Sequence, residues 1–193
     1  MRLFVIRHGQ TVSNVERRTT GQGETPLTEI GKAQAERIRA VLQSFRFDRV
    51  YSSDLSRAVH TQRIALPDAE GIQTPLLREF DTGTLTHKSF DEVSRMLGGR
   101  KAMDLPGQYR NFEGESEKDV SDRIREFLTM LEQDPCDNVA AFTHNGAIGV
   151  LLQTVLGVQL NRMQVGSKNC AIHVFEFVDG IWKLLAWNYM SEI

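Results

Sequence analysis

Short apolar runs alternate with amphipathic stretches along this chain, and this pattern predicts alternating strands and helices. Runs rich in β-forming residues, each too short for a helix, predict three buried strands at residues 2–7, 47–52 and 139–143. Apolar residues recur at helical spacing in the intervening segments, which predicts four helices at residues 28–44, 55–66, 116–131 and 145–156. Strands that alternate with helices predict a three-layer αβα sandwich.

The last part of the chain follows a different pattern. Residues 171–178 and 181–189 are rich in β-forming residues and are joined by Asp179-Gly180, the strongest short hairpin signal in the sequence. A C-terminal β-hairpin adds an antiparallel pair to strands that are otherwise joined by helices. We therefore expect a mixed, mainly parallel sheet.

Turn-forming residues indicate where several elements end. Residues 10–26 are polar and contain glycine and proline, so we expect a surface loop there. Pro75 lacks the N–H that a central strand needs, which predicts that residues 72–76 form an edge strand. Pro135 is expected to end the helix of residues 116–131.

Residues 84–114 have the least regular pattern of the chain. Their apolar residues predict one short helix, built on Phe90, Val93, Met96 and Leu97. Glycine and proline interrupt the rest of this segment, so its pattern does not indicate a second domain. We interpret residues 84–114 as a lid inserted over a site within a single domain of residues 1–193.

Reactive side chains stand where predicted strands and helices meet. Arg7 and His8 follow the first strand, with Gly9 after them to let the backbone turn, and His144 follows a later strand. Arg57 lies in the first turn of a helix, opposite its apolar face, where a helix N-terminus favours anions. Since the strand ends of an open α/β sheet gather at one crevice, we expect one anion site there.

Each of these signals also has a simpler interpretation. Arg7 and His8 are equally compatible with two solvated residues at a strand end, and Arg57 taken alone is more often a surface arginine. A metal ion shared by His8 and His144 is possible in principle, but the sequence offers no third ligand at a helpful spacing.

The other histidines are expected outside the site or at its border. His60 lies off the apolar face of its helix and is expected on the surface. His173 lies in a predicted strand and is expected to be a core or edge histidine with satisfied hydrogen bonds. His87 lies in the segment of residues 84–114, where solvation is more common than substrate contact.

Composition narrows the class of protein. The 193 residues are 40% hydrophobic and 25% charged with a net charge of −2, which is ordinary for a globular domain with a sizeable core. No basic block indicates nucleic-acid binding, and no apolar stretch approaches membrane-spanning length. The N-terminus lacks a signal-peptide pattern. Cys136 and Cys170 lack metal-ligand or redox spacing, so we expect buried free thiols in a cytoplasmic protein.

Six segments of the chain together form the most specific motif set in the sequence. They are Arg7-His8-Gly9-Gln10-Thr11 with Asn14, Arg17 and Gly21; residues 21–31, with Glu24 where aspartate is usual; residues 51–58 with Thr61; Leu77-Arg78-Glu79 with Gly83; Gly114-Glu115-Ser116; and Thr143-His144-Asn145-Gly146. In type and order they resemble the histidine phosphatase superfamily, in its phosphoglycerate mutase-like branch, over most of the chain. The resemblance implies the fold, and the function has to be argued from the site.

The resemblance implies a catalytic role for five matching positions. His8 would be the nucleophile and would carry a phosphohistidine. Arg7, Arg57 and His144 would surround the phosphoryl group during its transfer. Glu79 would donate a proton to the leaving oxygen, for which it must start protonated, and would then act as the base that helps water.

The resemblance also implies contacts to the phosphate and an overall activity. Gln10, Asn14 and Asn145 would add to the phosphate contacts of the two arginines. The implied activity is that of a metal-independent phosphomonoesterase acting on small phosphorylated metabolites through a phosphohistidine, without a cofactor.

The residue types suit phosphoryl transfer for reasons that do not depend on the family. The transition state spreads negative charge over the equatorial oxygens, so fixed positive charge and positioning provide most of the catalysis. Arginine stays charged at any working pH, and no carboxylate cluster suited to Mg²⁺ is apparent in the sequence. A histidine nucleophile must be neutral, and nearby arginines favour its neutral form. A poor leaving alkoxide needs an acid within hydrogen-bond reach.

Two departures from the family pattern leave the substrate open. Thr84-Leu85-Thr86 follows Gly83 where the phosphatase branch usually has Trp-Glu-Gly, next to the leaving group. Gln10 replaces the commoner glutamate. The segment of residues 84–114 also carries five cations that suit either a second anionic substrate group or a solvated loop; they are Lys88, Arg95, Arg100, Lys101 and Arg110.

Two other functions fit the same motifs. One is a phosphoglycerate mutase, which returns the phosphoryl group to another hydroxyl behind a closed lid that excludes water. The other is a non-catalytic module that binds phosphorylated ligands or a partner protein, against which the complete set of motif residues argues. The β-rich C-terminal edge is also compatible with a homo-oligomer.

Overall fold

The computed structural model describes residues 1–134, 136–159 and 165–189, which contain one six-stranded sheet and six α-helices. The strands are β1 (Arg2–Arg7), β2 (Arg49–Ser53), β3 (Ile72–Thr74), β4 (Asn138–Thr143), β5 (Ile172–Val178) and β6 (Ile181–Tyr189). The helices are α1 (Val12–Val15), α2 (Glu29–Leu42), α3 (Ser56–Ala65), α4 (Phe90–Met96), α5 (Glu117–Glu132) and α6 (Asn145–Leu156). Pro135, expected to end α5, lies outside the described residues.

The sheet is mixed, as predicted. Its strand order is β3-β2-β4-β1-β5-β6; the first four strands run parallel, and β5 and β6 are antiparallel to their neighbours. The register pairs Arg7 with Thr143 at the ends of β1 and β4, and Ser52 with Phe142 on β2 and β4. The carboxyl ends of the three central strands therefore meet at one edge of the sheet, where the sequence predicts the anion site.

Helices cover both faces of the sheet and complete the predicted three layers. Side chains alternate along β1, so Leu3 and Val5 point to one face while Phe4 and Ile6 point to the other. The first face packs against α5 and α6 in a buried cluster, and the second packs against α2 and α3. Fully buried runs such as those of β1 and β4 are typical of central parallel strands with helices on both sides.

Two local predictions are wrong in part, although β3 does lie at the edge of the sheet, and each difference has a cause in local backbone chemistry. The expected loop of residues 10–26 contains the short helix α1, because Thr11 and Asn14 form a reciprocal capping box that satisfies its first N–H groups. The edge strand predicted for residues 72–76 stops at Thr74, and residues 75–77 form a 3₁₀ turn with Pro75 at its start.

The cysteines are free thiols, but they differ in burial. Cys170 is buried as expected, and burial raises the pKa of its thiol to about 12. Cys136 is only half-buried, so the prediction that both thiols are buried is wrong for this residue. Cys136 follows α5 at the rim of the first core cluster, where it packs against that cluster from outside.

The segment of residues 84–114 contains the predicted short helix, α4, which a Ser89–Glu92 capping box begins. Around it lie three 3₁₀ turns, at residues 83–85, 102–104 and 108–112. A small apolar cluster of Leu85, Leu97 and Ala102 holds the segment together. None of the described helices combines the length and the apolar character needed to cross a bilayer.

Candidate active site

His8 lies at the end of β1 and is 5% exposed. Its Nδ1 is 2.7 Å from the carbonyl oxygen of Gly9. Because a carbonyl only accepts hydrogen bonds, Nδ1 carries the hydrogen and Nε2 keeps its lone pair. Burial lowers the pKa of His8 well below its usual value of 6.5, and the charges of Arg7 and Arg57 lower it further. His8 is therefore a neutral imidazole with a free Nε2.

Gly9 and the helix that approaches it hold His8 in this orientation. The sequence predicts Gly9 as a turn residue, but its φ is not in the left-handed region. A Cβ on Gly9 would instead lie 2.4 Å from the carbonyl oxygen of Gly31, in the first turn of α2. The Gly9 N–H donates to Thr61 Oγ1 at 3.0 Å. Close packing against α2, and not a special dihedral angle, makes glycine necessary here.

Arg57 is fully engaged within the site. Its side chain is 1% exposed, so the alternative interpretation as a solvated surface arginine is wrong. Nη1 donates to the Gly23 carbonyl at 2.9 Å, and Nη2 donates to the Gly21 carbonyl at 2.7 Å. Burial lowers the pKa of Arg57, while Glu79 and Glu24 oppose that shift. The two carbonyl oxygens thus fix the orientation of the Arg57 guanidinium, which keeps its positive charge.

Arg7 supplies a second cation and is half-buried, with its Nε atom buried. Its Nη1 donates to the Ser167 carbonyl, and its buried Nε has no partner among the described atoms. Burial lowers the pKa of Arg7, and the carboxylate of Glu79 opposes that effect. An unpartnered guanidinium N–H in a buried position is unusual, because such a group normally finds an acceptor. The missing acceptor fits an anionic substrate oxygen.

His144 lies directly beside the nucleophile position. It caps the start of α6 and is 0% exposed, and its ring centroid is 5.1 Å from that of His8. Both ring nitrogens lack a partner among the described atoms. Burial lowers the pKa of His144 well below 6.5, and Arg57 contributes to the same effect. Like Arg7, His144 therefore has buried polar atoms that no described protein group engages.

Glu79 closes the site on the side of α6. Its Oε2 accepts the Gly146 N–H at 2.9 Å, and its Oε1 accepts the Phe80 N–H at 3.0 Å. A Cβ on Gly146 would lie 2.3 Å from Oε1, so the carboxylate and α6 approach each other at a distance that only glycine permits. The carboxylate of Glu79 also opposes the lowering of the pKa of Arg7 and of Arg57.

The three amide residues predicted to contact phosphate lie at the border of the site. Gln10 Oε1 accepts from the hydroxyl of Thr28, which caps α2. Asn14 Oδ1 accepts from the Thr11 N–H in the capping box of α1, and Asn145 Oδ1 accepts the Ser167 N–H at 2.8 Å. The oxygens of these side chains hold neighbouring segments together. Their predicted contacts to phosphate stay predictions.

The sequence did not predict a hydrogen-bond network around the backbone carbonyl of Glu79. Arg123 on α5 donates to the Glu79 carbonyl at 3.0 Å and forms a double contact with the Glu115 carboxylate. Gln22 Nε2 donates to the same Glu79 carbonyl at 3.2 Å and to Glu115. Glu115 belongs to a motif noted in the sequence, but no signal there indicates its partner Arg123. The described residues contain no group of three or more His, Cys, Asp or Glu side chains arranged to hold a metal ion.

Comparison with known proteins gives consistent matches. The sequence model described as "Histidine phosphatase superfamily (branch 1)" matches residues 3–190. The probable phosphoglycerate mutase GpmB of Cronobacter sakazakii is 31% identical over 196 residues, which cover 97% of this chain and 90% of that protein.

Solved structures match the fold over nearly the full chain. The mycobacterial glucosyl-3-phosphoglycerate phosphatase, solved in complex with VO₃, is 27% identical with a TM-score of 0.83, covering 97% of this chain and 98% of that one. The α-ribazole phosphatase from Shigella flexneri is 25% identical with a TM-score of 0.85, covering 98% and 96%.

Proposed function

Because this chain belongs to the histidine phosphatase superfamily (branch 1), as its motifs predict, we propose that it hydrolyses phosphate monoesters through a phosphohistidine on His8. The single observation that carries the proposal is the state of the His8 ring. Nδ1–H is committed to the Gly9 carbonyl, so the lone pair is on Nε2, and the charges of the buried Arg57 and the half-buried Arg7 act on this ring. A neutral nucleophile surrounded by fixed positive charge suits attack on an anionic phosphate.

The first step transfers the phosphoryl group to the protein. The Nε2 lone pair of His8 attacks phosphorus, and the bond between phosphorus and the ester oxygen breaks. In this step Glu79 has to be protonated when the substrate is bound; it gives that proton to the ester oxygen, so the product leaves as a neutral alcohol. Arg7 and Arg57 neutralise the equatorial oxygens, and Arg7 Nε–H, which has no acceptor among the described residues, would donate to one of them. His144 contributes a hydrogen bond from its neutral ring.

The second step returns the protein to its starting state. Water attacks the phosphorus of the phosphohistidine, and the Glu79 carboxylate takes the proton that water loses. The bond between Nε2 and phosphorus breaks, inorganic phosphate leaves, and His8 regains its lone pair. The positive charge that the transition state needs comes from the two arginines, and we therefore infer that no metal ion is required.

Phosphate release and covalent labelling test this mechanism directly. Wild type is expected to release phosphate from 4-nitrophenyl phosphate in the presence of EDTA, and to give an acid-labile phosphorylated protein on rapid quenching. The His8→Ala variant should retain its circular dichroism spectrum and lose both signals. His60→Ala is a matched control because His60 is exposed on α3, and it should behave like wild type. Turnover or labelling that persists in His8→Ala contradicts the mechanism.

The segment that borders the site bears on the substrate class. We infer small phosphorylated metabolites, with the segment of residues 84–114 acting as a lid beside the leaving group. In that segment Leu85 is fully buried in its own apolar cluster, and Thr86 Oγ1 lies 2.9 Å from Thr82 Oγ1. Two of the three side chains in place of Trp-Glu-Gly, those of Leu85 and Thr86, are therefore engaged in contacts within the protein, whereas Thr84 is exposed. A phosphate-release screen across phosphorylated metabolites identifies the preferred leaving group.

A phosphoglycerate mutase is the second candidate, favoured by the name of the relative from Cronobacter sakazakii. Product analysis with 3-phosphoglycerate separates the two functions. Free phosphate supports hydrolysis, whereas 2-phosphoglycerate supports the mutase. A module that only binds phosphorylated ligands is disfavoured, because the nucleophile, both cations and the acid are all in place together.

A further inference from the structure

Among the residues that the structure describes, the guanidinium of Arg7 donates to one protein acceptor. Arg7 Nη1 donates to the carbonyl oxygen of Ser167, which lies 160 residues later, ahead of β5. Its Nε has no acceptor among the described atoms. This differs from Arg57, whose fork is fixed by two carbonyls. The orientation of Arg7 therefore follows the position of Ser167.

Ser167 is itself held by three further hydrogen bonds. It is 5% exposed, and its N–H donates to Asn145 Oδ1 at 2.8 Å, at the start of α6. Its hydroxyl donates to the Lys168 carbonyl at 3.2 Å and lies 2.8 Å from Nε2 of His173. The segment before β5 is thus attached on one side to the helix that follows His144, and on the other to β5.

The direction of the bond between His173 and Ser167 is fixed by a neighbouring backbone group. The Asn188 N–H on β6 donates to His173 Nδ1 at 3.3 Å, so Nδ1 is an acceptor and Nε2 carries the hydrogen. Nε2–H therefore donates to Ser167 Oγ. The register between β5 and β6 shifts at His173, and Asn188 has a φ of 54°, which brings its N–H to the ring.

The surroundings keep the His173 ring rigid and uncharged. The ring is 0% exposed, and its centroid is 4.0 Å from that of Trp187. Burial and the charge of Arg7 lower the pKa of His173 to about 3. Because the ring stays neutral with a fixed tautomer, His173 donates from Nε2 to Ser167 at all working pH values. The sequence predicts a satisfied core histidine here, and the structure confirms that prediction.

We propose that Ser167 and His173 are positioning residues for phosphate binding, which hold the Arg7 guanidinium in the site through the Ser167 carbonyl. The inference rests on the proposed function, in which Arg7 binds the phosphoryl group. Neither residue touches the reacting atoms, and each acts through Arg7. The chain of contacts runs from Asn188 to His173, then to Ser167, and from its carbonyl to Arg7.

Titration calorimetry with inorganic phosphate tests the proposal without turnover. His173→Leu and Ser167→Ala are each expected to weaken phosphate binding about 3- to 10-fold, as expected for the loss of one neutral hydrogen bond. His173→Gln keeps an N–H near the position of Nε2 and should recover most of the affinity. His60→Leu, on the exposed side of α3, should bind as wild type does. If His173→Leu does not fold, Ser167→Ala carries the same test.

A double-mutant comparison distinguishes positioning from general stability. In an Arg7→Ala background, His173→Leu should lower kcat/KM by less than about twofold, because the residue through which it acts is absent. The same fold-loss with and without Arg7 overturns the proposal. So does phosphate binding in His173→Leu and Ser167→Ala that equals wild type. A wild-type protein that binds no phosphate overturns the proposed function itself, and the inference with it.

Discussion

Gly146→Ala tests the proposed role of Glu79 as the acid separately from the rest of the site. An Ala Cβ at this position would lie 2.3 Å from Glu79 Oε1 and 2.7 Å from Phe80 Cδ2. Ordinary contacts begin near 3.4 Å, so the carboxylate has to move by about 1 Å, out of reach of the backbone N–H of residue 146. The ring of His8 and both arginines are not displaced directly.

The size of the effect follows from this displacement. A shift of about 1 Å in a catalytic group costs on the order of 10²-fold in rate. An alkyl phosphate has a poor leaving group that needs the proton, so its kcat/KM should fall about 10²-fold. An aryl phosphate leaves without that help, and its kcat/KM should fall much less. Alanine is also a better helix former than glycine, by about 0.5–1 kcal/mol, so we expect α6 to stay intact.

The assay measures kcat/KM for glycerol phosphate and for 4-nitrophenyl phosphate. The value of kcat/KM for each substrate does not depend on the later hydrolysis of the phosphohistidine. Glu79→Gln provides the reference background, in which Gly146→Ala should add little further loss. Gly166→Ala is the matched control, since a Cβ there meets nothing within 4 Å. A folded Gly146→Ala protein with wild-type activity on glycerol phosphate refutes the assigned role and position of Glu79.

Three other outcomes follow from the same geometry. Arg57→Lys should lower kcat/KM by about 10²- to 10³-fold, because an ammonium group cannot donate to two carbonyls and to a phosphate at the same time. Arg63→Lys, at an exposed position of the same helix, should leave kcat/KM unchanged. Equal losses in the two variants would contradict the role of Arg57. Thr61→Val should cost about 1–3 kcal/mol in urea unfolding by leaving the Gly9 N–H without a partner, and a smaller loss in Thr61→Ser is the check. The three buried histidines have lowered pKa values, so the unfolded chain binds more protons below about pH 6.5, and stability should fall as the pH drops from about 7 to 5. A urea midpoint that stays constant over that range would show that these rings are not held neutral.

Local signals in the sequence determined the element order and the centre of the site. The short β-rich runs and the helical stripes identified β1, β2, β4 and the long helices to within a few residues. Side chains that follow strands of a parallel sheet meet at one edge, so His8, His144 and Arg7 were brought together correctly from their positions alone. The motif set identified the family, which the comparisons confirm.

Contacts between residues far apart in the chain were decided only by the tertiary structure. Arg123 reaches the Glu79 carbonyl from α5, and Ser167 reaches Arg7 across 160 residues. No periodicity or spacing encodes such pairs, because each depends on where two separate elements come to lie. The burial of Arg57 was likewise decided only by the tertiary structure.

The sequence by itself determined which chemistry this protein carries, and the folded chain decided the state of the groups that carry it. A histidine after a strand indicates a candidate nucleophile, but its tautomer is set by a carbonyl 2.7 Å away and its charge by burial beside two arginines. Hydrogen bonds and desolvation act over a few ångströms in space, whatever the separation in sequence. For that reason a linear pattern specifies the residue type at a site, and three-dimensional packing specifies its protonation, orientation and partners.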